Sequence, residues 1–477
     1  MGNLLHLLLR IALLAGLLLG AGCTPNAAYR SQTDNTSACP AQGCTDRVLE
    51  QHAEYDLGFV EFTDHGNVFN REHLNAVLEH VKQHADSPQG AVVAVFVHGW
   101  KHNASAEDEN LRSFRHLLQQ ASKVGITQKR RLIGIYIGWR GQSLDVPLAE
   151  HLTYWVRKNT ANSVGKGGVT EFLVRLEQQV AKGNKTDPNH NLLLAIGHSF
   201  GGAVLISALN DVLLERVITA QEVGRQHCSD SNRGTCATCV QTRPFGHGVI
   251  LLNPAIEANE LLQLKEVVAE QGCYARNQQK LLHVVSSQAD TATNIAFRVG
   301  QYLGVSVGSS ELPLQRTYKG KPVTLFEREL NTTTIGNYLP FRTGISVKRN
   351  GQNQDVCAAK GEEREECYIS CKDGDSACFK NAALRGKHIP TGSSEPLHFL
   401  YTDENFIKDH SDIFNFRVGG YIASVALESS VKRLLATGRS DTAALKKLVG
   451  QACINQEQEF DFAHCFDYYS DLFEKTP

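Results

Sequence analysis

The stretch from Leu192 to Leu209, LLLAIGHSFGGAVLISAL, constrains the fold more than any other part of the chain. Leu192 to Ile196 is continuously apolar and stops at Gly197. So short an apolar run suits a strand buried on both faces of a parallel sheet. Phe200 to Leu213 reads as a helix. Ser199 sits where the strand must hand over to the helix. Such a turn strains the serine backbone and crowds the positions two residues away, and glycine at 197 and 201 removes the Cβ atoms that would collide. The turn lifts the hydroxyl above the sheet, with the Phe200 backbone N–H at the helix start facing a developing oxyanion. Glycine occupies 40 of 477 positions. At that frequency G-x-S-x-G arises by chance roughly 0.2 times in a chain of this length. A glycine-rich packing turn is therefore the competing reading, and the strand–turn–helix context favours a nucleophile elbow.

The rest of the chain repeats the alternation. LGFVEF, AVVAVFV, RLIGIYIGW, HGVILL, KLLHVVSS and LHFLYTD read as strands, separated by amphipathic helices such as REHLNAVLEHVKQH and closed by FRVGGYIASVALESSVKRLLA. Strands alternating with helices predict an α/β fold, a mostly parallel sheet with helices on both faces. Two cysteine-bearing stretches interrupt the rhythm, at 218–246 and 305–395, and read as disulfide-stapled insertions. The predicted organisation is a leader at 1–22, a polar tether at 23–54, and a core at 55–304 and 396–437. The 305–395 insertion would form a cap over the pocket, and 438–477 a disulfide-linked tail.

The leader MGNLLHLLLRIALLAGLLLGAGC has a basic residue, a short apolar core and small residues before Cys23, the pattern of a signal peptide. It resembles the lipobox of bacterial lipoproteins, which would make Cys23 the lipidated first residue. It departs from that pattern at Gly20, where leucine is usual. Ordinary signal-peptidase cleavage nearby is the alternative. Setting Cys23 aside leaves 12 of the 13 cysteines, an even number suited to disulfides in an oxidising compartment. Cys39 with Cys44 and Cys453 with Cys465 are the expected pairs. Connectivity stays open within Cys228, Cys236, Cys239, Cys273 and within Cys357, Cys367, Cys371, Cys378. A zinc site at Cys236 and Cys239 with His227 is the rival. The expected location is the cell envelope, lipid-anchored on the periplasmic side of the outer membrane, or secreted. A net charge of −2 gives no electrostatic case for nucleic acid. Nothing in the sequence fixes the oligomeric state.

Open parallel sheets place ligands beyond the carboxyl ends of their strands. After Val97 comes HGWKHN, where His98-Gly99 turns the chain and the Trp100 N–H offers a second oxyanion donor; His98 itself reads as structural. After KLLHVVSS comes Asp290, placed either to orient an imidazole or to cap the helix at TATNIAF. The rival acid is Glu257, just past ILLNPA, where a helix start would aim it outward. After the last strand comes His410, the candidate base, whereas His283 and His398 lie within strands and read as core. Trp100 and Trp139 both follow strand ends and suggest an aromatic pocket mouth or core packing.

Ser199, Asp290 and His410 stand in the Ser…Asp…His order of α/β-hydrolases. FVHGWKHNAS, GHSFGG, SSQAD and KDHSDIF together resemble a bacterial group of that superfamily, over about residues 55–437 without the insertions. The resemblance implies a triad of Ser199, Asp290 and His410, with Trp100 and Phe200 as oxyanion donors. The expected activity is that of a serine hydrolase needing no metal or organic cofactor. It would cleave a small-molecule or lipid ester and be held to the membrane through Cys23. A lipase, thioesterase, amidase or acyltransferase would carry the same residues. A catalytically silent binding lipoprotein is the alternative from another class.

Overall fold

The computed structural model describes residues 25–33, 39–40, 43–123, 129–142, 154–227, 241–271, 277–298, 312–318, 321–346, 354–357, 367–370 and 396–437, with 127, 274, 275 and 301. Nine strands form one sheet. They are β1 (Leu49–Gln51), β2 (Asp56–Glu61), β3 (Ala91–Val97), β4 (Arg131–Gly138), β5 (Leu192–His198), β6 (Gly248–Leu252), β7 (Leu282–Ser287), β10 (Gly344–Ser346) and β13 (Leu397–Thr402). Two hairpins stand apart, β8 (Pro313–Tyr318) with β9 (Lys321–Phe326) and β11 (Gln354–Cys357) with β12 (Cys367–Ser370). The sheet order is β1-β2-β4-β3-β5-β6-β7-β13-β10, and every neighbouring pair is parallel except β1 with β2. This is an α/β architecture of the α/β-hydrolase type.

The helices are α1 (Arg71–Ala85), α2 (Glu109–Ala121), α3 (Tyr154–Val164), α4 (Thr170–Gly183), α5 (Phe200–His227), α6 (Leu262–Gln271), α7 (Glu327–Thr332) and α8 (Phe416–Ala436). Side chains alternate across a strand, so one apolar strand feeds two cores. Val93, Val95 and Val97 of β3 join Leu74 and Val77 of α1 and Val204 of α5. Val92 and Phe96 point the other way, to Phe114 of α2 and Val425 of α8. That double coverage explains why β3 and β5 read as unbroken apolar runs. No helix among the described residues is long and apolar enough to cross a membrane.

Two boundaries differ from the sequence reading. Residues 321–346, read as part of an inserted cap, supply the parallel edge strand β10 and bury Leu325, Leu330, Ile335, Tyr338 and Phe341 in the main core. Part of the stretch read as a tether is also fastened to the body. Tyr29 and Arg30 donate backbone N–H bonds to Glu61 (2.9 and 2.8 Å), and the Arg30 guanidinium lies buried against Glu50 (3.2 Å). Arg115 of α2 grips the same Glu50 (2.6 Å). Burial opposes ionisation of Glu50, but hydrogen bonds from His52 and Arg115 outweigh it and hold the carboxyl below its usual range.

Cys39 and Cys44 form the expected disulfide. Cys357 and Cys367 are register partners across β11 and β12. Cys23 and the expected 453–465 pair lie outside the described residues, as do Cys228, Cys236, Cys239, Cys273, Cys371 and Cys378. The helix predicted to Leu213 runs on to His227, and the rival zinc motif beyond it is likewise outside.

Candidate active site

Ser199 bridges β5 and α5 with φ at 53°, a left-handed conformation that costs a serine about 1–3 kcal/mol. Three backbone bonds hold it there: Ser199 N–H to Leu252 O (3.2 Å), and Gly202 and Ala255 N–H to Ser199 O (3.0 and 3.1 Å). The flanking glycines are steric necessities. A Cβ on Gly201 would lie 2.0 Å from Val97 O, and one on Gly197 2.7 Å from Gly201 O. A Cβ on Gly99 would meet Ser199 Cβ at 2.8 Å, so the loop after β3 passes directly beside the serine.

The other two predicted residues converge on this point from loops far apart in sequence. His410 Nε2 is 2.9 Å from Ser199 Oγ, and His410 Nδ1 is 2.9 Å from Asp290 Oδ2. Asp290 is fully buried. Its Oδ1 accepts the Thr293 N–H (3.1 Å) and its Oδ2 the Thr293 hydroxyl (2.5 Å). The two readings of Asp290 are thus compatible, since it caps the following turn and meets the imidazole. An ionised carboxylate accepts only, so Nδ1 of His410 carries the proton and Nε2 is free to accept from the serine hydroxyl.

Three residues that the sequence reading missed hold His410 in place. Asn253, at φ 43° after β6, donates to the carbonyl oxygens of Asp409 and His410 (3.3 and 3.2 Å) and accepts the Ser287 N–H (3.0 Å). His198 Nε2 donates to the same His410 carbonyl (2.8 Å). Burial pushes His198 well below the usual imidazole range, with the nearby His410 acting in the same direction, so the ring stays neutral. Ser287 donates its hydroxyl to Ile407 O (2.7 Å). Asn253 lies just past the end of β6, and that position is the signal in the sequence that points to it.

Phe200 and Trp100 both border the serine, Phe200 as the first residue of α5 and Trp100 in the lining of the pocket. His98 is buried and structural. It donates Nδ1–H to Gly99 O (3.0 Å) and accepts the Trp139 N–H at Nε2 (3.2 Å). Burial lowers its pKa to about 4. Trp139 stacks on His98 at 5.5 Å and is buried in the core; it is not at the pocket mouth, unlike Trp100. Glu257 is engaged elsewhere: it pairs with Lys158 and accepts from Gln301. It faces inward beside the 3₁₀ turn that starts at Ala258, contrary to the outward aim expected of it.

The pocket above Ser199 has a volume of 920 Å³. Its two walls follow from sheet order. The β3 loop lies on one side of β5 and brings Lys101, His102, Asn103, Ser105 and Glu107; the loops after β6 and β7 lie on the other and bring Ala255, Thr291, Ala292, Thr293 and Ala296. None of the described residues of the 305–395 stretch lines it.

No family model and no curated protein matches the chain. Among solved structures, phospholipase PlaB from Legionella pneumophila in complex with thio-NAD aligns at 14% identity and a TM-score of 0.19. The alignment covers 49% of this chain and 48% of that one, a likeness too slight to carry an argument about this chain.

Proposed function

We propose that the protein is a serine hydrolase that cleaves a carboxylic ester through an acyl-enzyme. The observation carrying this reading is the continuous relay from Ser199 Oγ through His410 to the buried carboxylate of Asp290, with both links at 2.9 Å. In the first step Ser199 Oγ attacks the ester carbonyl carbon while His410 Nε2 takes its proton. The carbonyl oxygen becomes an oxyanion, for which the backbone N–H groups of Trp100 and Phe200 are the proposed donors. The C–O bond to the alcohol then breaks, and His410 returns the proton to the departing oxygen. Water repeats the sequence on the acyl-serine, with His410 as base, and releases the acid. Asp290 stays ionised throughout and stabilises the imidazolium.

The reading predicts labelling of Ser199 by a fluorophosphonate probe, and turnover of p-nitrophenyl esters whose best chain length reports the acyl pocket. Ser199→Ala should abolish both. An unaltered rate in that variant would end the proposal. A silent binding protein of this fold should resist the probe. The cell envelope is the proposed location, with Cys23 as lipid anchor, supported by the leader pattern and by the Cys39–Cys44 disulfide close behind it. Mass spectrometry of the mature chain tests this: an N-terminus other than acylated Cys23 refutes the anchor.

A further inference from the structure

A second histidine–aspartate pair opens onto the same pocket. His102 lines the β3 wall, with its Nδ1 3.2 Å from Asp108 Oδ2. Asp108 caps α2: Oδ1 accepts the N–H groups of Asn110 (2.9 Å) and Leu111 (3.2 Å), and Oδ2 also accepts that of Asn103 (3.1 Å). Burial opposes its ionisation, but the bonds from His102 and Asn103 outweigh burial and hold the carboxyl below its ordinary value. A carboxylate receiving three backbone donors at a helix N-terminus is an acceptor. The proton of neutral His102 is therefore on Nδ1, and Nε2 presents a bare lone pair. Among the described residues no hydrogen bond engages that Nε2.

The two walls differ in what they accept. On the β6–β7 side Ala255, Ala292 and Ala296 offer methyl groups beside Thr291 and Thr293, and the Thr293 hydroxyl is already given to Asp290, so this side suits an acyl chain better than the β3 wall does. The remaining flank of the ester, the alcohol, then meets the β3 wall. There Glu107 and the lone pair of His102 are acceptors, and Lys101 is drawn over the Trp100 ring at 4.7 Å. An acceptor held at a fixed angle is satisfied by a hydroxyl and left unpaired by an alkyl group, and sites built this way discriminate strongly against the analogue lacking the donor.

We propose that His102 is a specificity residue that accepts a hydrogen bond from a free hydroxyl on the alcohol side, so that the preferred substrate is a polyol ester rather than an ester of a simple alkanol. The proposal rests on the serine-hydrolase reading. It is tested with the full chain on glycerol monobutyrate and ethyl butyrate, which share an acyl group, alongside fluorophosphonate labelling of Ser199 in every variant. The expected ratio of kcat/KM, glyceryl over ethyl, is about tenfold, the scale set by one well-placed hydrogen bond. In His102→Leu, which removes the acceptor, it should fall to about one. In His102→Gln, whose amide oxygen can accept in its place, most of the preference should return. A ratio near one in the native protein, or one that His102→Leu leaves untouched, overturns the proposal. So does a protein that labels at Ser199 yet cleaves neither ester, while the nucleophile reading stands. Absence of both labelling and cleavage removes both.

Discussion

The two histidine–aspartate pairs facing the pocket use the same residue types and differ in what stands beyond the imidazole. His410 meets the Ser199 hydroxyl at 2.9 Å, whereas His102 meets open cavity. They also differ in what fixes the acid. Asp290 is fully buried and held by Thr293, while Asp108 is held by backbone donors at the start of α2 and would sit there whatever stood at 102. A carboxylate behind a histidine sets a tautomer. Only the group at the far nitrogen decides whether that tautomer moves a proton or recognises a ligand.

The sharpest way to break this contrast is to replace each acid by its amide. Asp290→Asn should lower kcat by on the order of 10⁴ with little change in KM, because the amide favours the wrong tautomer of the base. Asp108→Asn, which can still cap α2, should lower turnover by about tenfold or less. Equal losses would mean that both imidazoles move protons.

A smaller effect concerns the neutral histidine behind each pair, His198 at 4.9 Å from His410 and His98 at 6.4 Å from His102, ring to ring. Folded His98 takes up no proton until pH falls to about 4, whereas the unfolded chain protonates near 6.5. Its contribution is therefore present above pH 6.5 and is lost as pH falls toward 4, by about 1.4 kcal/mol per unit or roughly 3 kcal/mol in all. His198, lowered in the same direction, adds to the loss. Urea unfolding at pH 7 and pH 5 should show it, and a flat stability between those values would contradict the burial of both rings.

Glu257→Gln should be the mildest exchange. Turnover should stay within about threefold, while stability drops on the order of 2 kcal/mol because Lys158 loses its ionised partner in a poorly solvated site. Burial already lowers Lys158 to a pKa of about 8. A melting curve and an ester assay on one sample separate the two outcomes, and a large loss of turnover would move the triad acid from β7 to β6.

Long apolar strands were legible from the sequence because burial on both faces leaves no polar residue to blur them: AVVAVFV is β3 from end to end. β1 and β10 were not, since three residues show no period and β10 sits in a stretch whose cysteines suggested an insertion. Positions past strand ends singled out Ser199, Asp290 and His410, and the fold brings the three side chains into contact. Asn253 and His198 escaped because their work is to hold the His410 carbonyl, and a backbone partner leaves no mark in the sequence. His102 stood in view within HGWKHN, but only the fold shows that Asp108 lies behind it.

The clamp of Tyr29 and Arg30 on Glu61 carries a mechanical consequence. Only five residues lie between Cys23 and Tyr29, and the six steps from one to the other, even fully stretched, reach about 20 Å. A lipid on Cys23 would thus hold the folded body on a leash of about 20 Å. It could swivel at the bilayer surface but not leave it, and a substrate arriving from the membrane would be met locally and not by diffusion through the surrounding fluid.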